Sequence, residues 1–348
     1  MKYRANFLHS YPMKEKIQNI KLALRVTKSF RNFLEGEGFV EIFPPTIVRA
    51  SGACESIETM FYVAKEKNFL WFRPTNPHRA HLLQTAQFDL EAVIPDLKKV
   101  YSISPTFRAD EGDVKRHLIE FTMAEIEFVG GLPKLLDYTE RIMVRIIHDI
   151  LCLPVRAQIE IGIRKQDVLR LRKIKPNFPR VTYDEAIKIL KLKYGKDISS
   201  HDEQRLVKKF GNQPVLLTHH PNSLWNHRKD IEVIKFFNMI PNPKDPSRLL
   251  SVDLILPIGG EALGGAQRIE KFNDFKSRLV HSQMFRLLQK KGGGLQDFEW
   301  YLKIFKKIKK MPLHSGGGFG IARIMKFLRG EGDIRKVVPF PSNRWKIN

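Results

Sequence analysis

The chain has 348 residues, enough to bury a sizeable core, and reads as one large domain spanning 1–348. Sixty lysines and arginines against 37 acidic residues give a net charge of +23, a field that attracts polyanions such as RNA when it is not simply spread over solvated faces. No uninterrupted run of about 18 apolar residues occurs, Met1–Phe7 lack the apolar stretch of a secretory signal, and Cys54 and Cys152 cannot build a disulfide framework, so a reduced, cytoplasmic protein with no membrane span is expected.

Along the chain, a short N-terminal extension (1–12) leads into a long predicted helix from Lys14 to Glu35, then Gly38-Phe39-Val40-Glu41-Ile42 running to Pro45. Phe107–Asp110 followed by Arg116–Thr122 reads as strand, charged loop, strand, with Arg108 on the first strand and Phe121 on the second. Such a hairpin can hold a nucleotide from two sides, a guanidinium fork on the α-phosphate and a ring beneath the base. Leu132–Leu153 reads as a helix with loosely periodic apolar positions, and Arg164–Lys173 as a basic, exposed helix face. Phe178–Leu192 is a strand–turn–helix, Pro214–Thr218 a short buried strand, and Ser199–Glu203 a capping box with Ser200 as N-cap and Glu203 at N3. Asp253 and Glu261 are two carboxylates eight residues apart, followed by glycines and Arg268, a pattern suited to Mg²⁺ because hard cations take oxygen ligands. Lys303–Lys310 reads as a basic amphipathic helix with Ile304, Phe305 and Ile308 turned inward, and Gly316–Arg323 as a glycine-rich strand entering a helix, where glycines let a ligand approach the backbone.

These segments together resemble the catalytic core of class II aminoacyl-tRNA synthetases, in the asparaginyl/aspartyl branch and closest to the asparaginyl enzymes. The resemblance covers nearly the whole chain and is carried by Cys54–Phe61, Thr85–Ala92, Arg116–Phe121, Phe178–Ala186 and Gly260–Ile269, with the Asp253-to-Glu261 spacing also of the asparaginyl kind. It implies an α+β fold, an antiparallel sheet flanked by helices, with an insertion at about 130–250 and a homodimer formed through Gly38–Pro45. Enzymes of this branch carry an N-terminal anticodon-binding barrel of roughly a hundred residues, and about a dozen residues cannot form one, so a catalytic core standing alone is expected.

The resemblance implies ATP and Mg²⁺ as cofactors and a reaction in which an amino-acid carboxylate attacks the α-phosphorus of ATP. Arg108 would bridge the α-phosphate and the amino-acid carboxylate, Phe121 would stack on adenine, and Arg323 would clamp the γ-phosphate or lie on adenine's other face. Asp110, Arg116 and His117 would belong to the loop over the distal phosphates, and Asp253 and Glu261 would hold Mg²⁺. In the amino-acid pocket, Gln87 and Glu125 would take the ammonium group, Arg268 the side-chain oxygen and Glu55 the side-chain amide. Aspartate-activating relatives place a lysine where this chain has Leu90, and burying a carboxylate without a cation costs several kcal/mol, so asparagine or a neutral analogue is the expected substrate. Four positions depart from the family pattern: Asp110 for glutamate, Ala266 for serine, Ala322 for an acidic residue, and Gln84 for an apolar one, giving the pocket an extra amide. The acyl acceptor stays open between a tRNA acceptor arm and an amine (ammonia, a small metabolite or a peptide). The rival readings are an asparagine synthetase-type paralogue that activates aspartate and a non-catalytic RNA-binding paralogue.

Overall fold

Leu22, Val26, Phe30 and Leu34 recur every four residues, which puts them on one face of a helix. In a computed structural model describing residues 12–49, 57–64, 80–112, 115–227, 230–308 and 310–344, that helix runs over Met13–Gly36 (α1) with all four side chains fully buried. It packs on an eight-stranded sheet whose strands are β1 (Val40–Glu41), β2 (Lys99–Phe107), β3 (Glu120–Val129), β4 (Arg180–Thr182), β5 (Val215–Thr218), β6 (Ser251–Leu256), β7 (Gly260–Gln267) and β8 (His314–Gly320). Their spatial order is β1-β2-β3-β8-β7-β6-β5-β4. The six central strands pair antiparallel, and one parallel strand closes each edge.

Alternation along β3 decides which face does what. Ala124, Ile126 and Phe128 point into the main core, shared with α1, α3 (Leu132–Leu151) and α7 (Ile321–Arg329), whereas Glu125 and Glu127 point to the opposite face. Beside β3, a Cβ at Gly316 would overlap the Glu127 carboxylate and one at Gly318 would overlap Met123, so the glycine run lets large side chains lie across β8. α7 ends at Gly330, whose φ of +57° suits a left-handed cap.

On the opposite face, helix α2 (Gln87–Leu97) and helix α6 (Glu299–Ile308) enclose an aromatic cluster. There Phe88 stacks on Tyr301 with centroids 4.4 Å apart, and burying such a ring contributes roughly 2–3 kcal/mol. The third cluster unites β4 and β5 with α4 (Tyr183–Leu190) and α5 (Ser200–Lys209). Thr182 and Glu185 form a reciprocal capping box at the start of α4.

Two expectations shift. The N-cap of α5 is Ser199, whose hydroxyl accepts from the Asp202 N–H, so Glu203 takes no part in a cap. In the short helix Lys165–Leu171, Arg170 is not a solvated basic residue: its guanidinium donates to the carbonyls of Phe327 and Leu328 at the end of α7. In α6, Phe305 is fully buried, Ile304 and Ile308 are half-buried, and Lys303, Lys306 and Lys307 face outward, as the amphipathic pattern required. No helix among the described residues is long and apolar enough to cross a membrane.

Candidate active site

The hairpin, the glycine-rich strand and helix α5 converge on one cleft of about 580 Å³. Of the residues singled out in the sequence, Arg108, Asp110, Arg116, His117, Phe121 and Arg323 line it, as do Gln87, Glu125, Arg268, Asp253 and Glu261. Glu55 lies outside the described residues. Gln84 does not extend the pocket: it is buried and its amide donates to Thr59 Oγ1 at 3.0 Å.

At the hairpin end, the Arg108 guanidinium lies 5.6 Å from the centroid of the Phe121 ring. Asp110 and His117 pair at 2.6 Å, and Gly112 N–H donates to Asp110 at 2.9 Å. The His117 hydrogen bond, with the Gly112 N–H and the Arg108 charge, outweighs burial and brings the Asp110 carboxyl down to about 2. Arg323 opens α7 and donates to the Gly259 carbonyl at 3.3 Å. Its burial and the nearby Arg116 charge both lower its pKa, and Lys326, one turn on, is brought down to about 8 by burial and by the same two arginines.

Asp253 and Glu261 converge on Gly264, where an added Cβ would stand 3.7 Å from Asp253 Oδ1 and 3.4 Å from Glu261 Oε1. Asp253 Oδ2 is already engaged, by Lys235 Nζ at 2.7 Å and His220 Nε2 at 3.0 Å; burial pushes its carboxyl up, but these two contacts hold it below the usual range. Asp253 Oδ1 is buried and accepts no hydrogen bond. One orphaned carboxylate oxygen beside a second, more exposed carboxylate is a donor set that fits a hard divalent cation.

The floor of the cleft is a buried charge network that sequence reading missed almost entirely. Arg268 donates from Nε (3.0 Å) and Nη2 (2.6 Å) to Glu127 Oε1 and lies 3.7 Å from Glu91. Glu91, fully buried, accepts from Gln87 at 2.5 Å, from Tyr301 at 2.6 Å, and from Asn238 at 2.7 and 2.8 Å. His314 stands with Nδ1 2.7 Å from the Pro312 carbonyl, which can only accept, and Nε2 3.5 Å from Glu91. Burial alone would lower the imidazole's pKa, but the neighbouring Glu91 and Glu127 carboxylates and the Pro312 carbonyl raise it. Burial would raise Glu91 too, but His314, Arg268 and Tyr301 bring it down to about 2. Glu127 goes the other way: burial and the Glu91 charge push it up against the pull of Arg268. Glu125 is oriented separately, by the Thr85 hydroxyl and by the Ala86 N–H at 2.8 Å. The signals for these residues were faint: two glutamates two apart on a central strand, and Lys235 inside the apolar run Val233–Phe237.

A sheet with this strand order, carrying an Arg–Phe hairpin beside a glycine-rich strand that feeds an arginine-bearing helix, has the class II synthetase core fold. The family model for tRNA synthetases class II (D, K and N) matches residues 1–344, and the chain belongs to that family. Within it, the chain is 32% identical over 329 residues to the asparagine–tRNA ligase of Thermococcus kodakarensis, covering 92% of this chain and 68% of that protein. The corresponding enzyme of Pyrococcus abyssi is 32% identical over 324 residues, covering 91% of this chain and 66% of that one. The chain thus spans about two thirds of the length of these relatives. Among solved structures, asparaginyl-tRNA synthetase from Pyrococcus horikoshii complexed with asparaginyl-adenylate superposes with a TM-score of 0.78 at 28% identity, covering 96% of this chain and 70% of that chain. Aspartyl-tRNA synthetase from Entamoeba histolytica superposes with a TM-score of 0.70 at 25% identity, covering 96% and 60%.

Proposed function

We propose that the chain activates asparagine with ATP and passes the asparaginyl group to tRNA. A carboxylate oxygen of asparagine attacks the α-phosphorus, the bond to the leaving pyrophosphate breaks, and asparaginyl-adenylate forms. The attacking carboxylate is already ionised, so no protein base is needed, and the chain's work is positioning and charge stabilisation. Arg108 draws the two reacting anions together, Phe121 supports the adenine, and Arg116 and Arg323 receive the distal phosphates. Mg²⁺ would be held by Asp253 and Glu261, supported by the orphaned Asp253 Oδ1, and would neutralise phosphate charge.

The choice of amino acid rests on one observation. At the floor of the cleft, among the described residues, each cation already faces carboxylate: Arg268 faces Glu127 and Glu91, and His314 faces Glu91. With Leu90 fully buried where a lysine would serve a β-carboxylate, a second substrate carboxylate would be desolvated without a counter-charge. An amide can donate to the carboxylates and accept from Arg268. The names of the asparagine–tRNA ligase relatives point the same way.

For assembly, the proposal is a homodimer built on α1 and the segment after it. Met13, Ile17, Ile20 and Leu24 form an exposed apolar stripe on the face of α1 opposite the core, continued by Val40, Phe43 and Ile47. The outward lysines of α6 suit the phosphates of a tRNA acceptor arm.

The test is exchange of labelled pyrophosphate into ATP, run with asparagine and with aspartate, followed by charging of tRNA with labelled asparagine. Exchange with asparagine and charging of tRNA are expected. Exchange with aspartate alone would overturn the reading of the pocket floor.

A further inference from the structure

The inserted helix α5 sends one carboxylate into the phosphate end of the cleft. Glu203 is buried, with 6% of its surface exposed, and lines the cleft together with Asp197, Ser199 and Ser200. Its Oε2 accepts no hydrogen bond, and Arg116 Nη2 stands 3.7 Å from it. Across Gly260, a Cβ would sit 3.0 Å from Glu203 Oε2, 3.0 Å from Arg323 Nη1 and 3.8 Å from Arg116 Nη2, so the carboxylate and both guanidiniums surround one point. Gly260 has φ +75°, a conformation that favours glycine, and any side chain there would fill this space. The Glu261 N–H hydrogen-bonds the same carboxylate.

The placement is built. Gln204, the next residue, clamps α5 to the turn between β6 and β7, donating to the Leu256 carbonyl at 3.2 Å and accepting from the Ile258 N–H at 2.7 Å. The charged groups nearest Glu203 Oε2 favour an anion on balance: Arg116, Arg323 and Lys326 supply positive charge, against the opposing carboxylate of Asp253. Two arginines this close repel one another, and Glu203 offsets that repulsion when no polyanion is bound.

We infer that Glu203 is an internal counter-ion of the polyphosphate site: its carboxylate holds Arg116 and Arg323 facing across Gly260 and yields its place to the terminal phosphate of the nucleotide. The inference rests on the reading that Arg116 and Arg323 receive the distal phosphates. It makes Glu203 a positioning residue that tunes nucleotide affinity.

The experiment is calorimetric titration of the full chain with inorganic pyrophosphate and, separately, with AMP, for wild type, Glu203→Gln, Glu203→Asp and Arg323→Ala. Glu203→Gln should bind pyrophosphate about tenfold more tightly, roughly 1.4 kcal/mol, because a competing anion has gone. Its AMP affinity should stay within about twofold, since AMP lacks the distal phosphates. Glu203→Asp, whose carboxylate is drawn back by one methylene, should fall between the two, and it serves as the test should the glutamine variant fold poorly. Unchanged or weaker pyrophosphate binding in both Glu203 variants, with Arg323→Ala binding less, would overturn the counter-ion role and leave the site reading intact. If Arg323→Ala binds pyrophosphate as wild type does, the site reading itself fails, and the inference with it.

Discussion

Replacing Glu91 by glutamine keeps the size of the side chain and removes one charge from the centre of the pocket floor. The carboxylate accepts on both oxygens, from Gln87, Asn238 and Tyr301, and balances Arg268 and His314. A glutamine offers one acceptor oxygen, and whichever way its amide turns, its NH₂ meets a donor: Gln87 on one side, Tyr301 on the other, and Asn238 on both. The charge that raises the His314 pKa also disappears. Breaking a buried ion cluster from one side costs about 3–5 kcal/mol. At roughly 2 °C per kcal/mol for a chain of this size, the midpoint of thermal unfolding should drop by about 6–10 °C.

The pH dependence of this loss has a definite sign. Glu91 titrates at about 2 in the fold against an ordinary 4.5, so its stabilisation is complete above the higher value and fades as pH falls toward the lower. His314 is raised above its ordinary 6.5, so its contribution is complete below that value and is lost as pH rises through the folded pKa. The gap between wild type and Glu91→Gln should therefore be widest between about pH 4.5 and 6.5 and narrow on both sides. Circular dichroism melts across that range measure it. A midpoint within 2 °C of wild type at pH 5.5, roughly 1 kcal/mol, would refute the view that Glu91 anchors the floor.

Arg108→Gln should lower asparagine-dependent pyrophosphate exchange by about 10²–10³-fold while leaving the unfolding midpoint near wild type; exchange at wild-type rate would remove Arg108 from the reaction. Asp253→Asn should raise the Mg²⁺ concentration needed for half-maximal exchange by about tenfold and shift Mn²⁺ binding, read by electron paramagnetic resonance, to the same extent. Equal Mn²⁺ affinity in both proteins would take Asp253 out of the cation site. Leu24→Glu should convert a dimer into a monomer in light scattering, because it puts a charge into the apolar stripe of α1; a wild type that is monomeric by the same measurement would sink the dimer proposal.

The hairpin, the glycine-rich strand and α1 were legible because their information is local. A four-residue apolar spacing, an arginine and a phenylalanine flanking a charged loop, and glycines where side chains must cross a strand each follow from short-range rules. The pocket floor was not legible. Glu91 comes from α2, Glu127 from β3, Tyr301 from α6 and His314 from β8, and no spacing rule joins residues this far apart. Glu203 was hidden by an ambiguity: Ser199 with Asp202 and Ser200 with Glu203 both satisfy the three-residue rule for a cap, and only the fold selects the first. Arg170 looked like surface charge because nothing in the sequence places the end of α7 beside it.

What unites the residues the sequence concealed is how charge is divided along the cleft. At the end proposed to take the amino acid, Arg268 and His314 lie in the midst of Glu91 and Glu127, an arrangement that would discriminate by hydrogen-bond geometry and disfavour a second carboxylate. At the end proposed to take the phosphates, Arg108, Arg116 and Arg323 face Asp110, Glu203 and Glu261, with Lys326 one turn beyond Arg323, so attraction of a polyanion there should weaken as salt rises. Lys235 and Asp253 stand between them, one cation and one carboxylate already joined, with the more exposed Glu261 carboxylate beside them to balance a metal ion. On the proposed function, affinity for the nucleotide would be set by the balance of charges at one end, and selectivity for the amino acid by the completeness of pairing at the other. A substitution that alters charge at one end should leave the other's preference in place, because the network at the floor and the arginines around Gly260 share no hydrogen-bonded partner among the described residues.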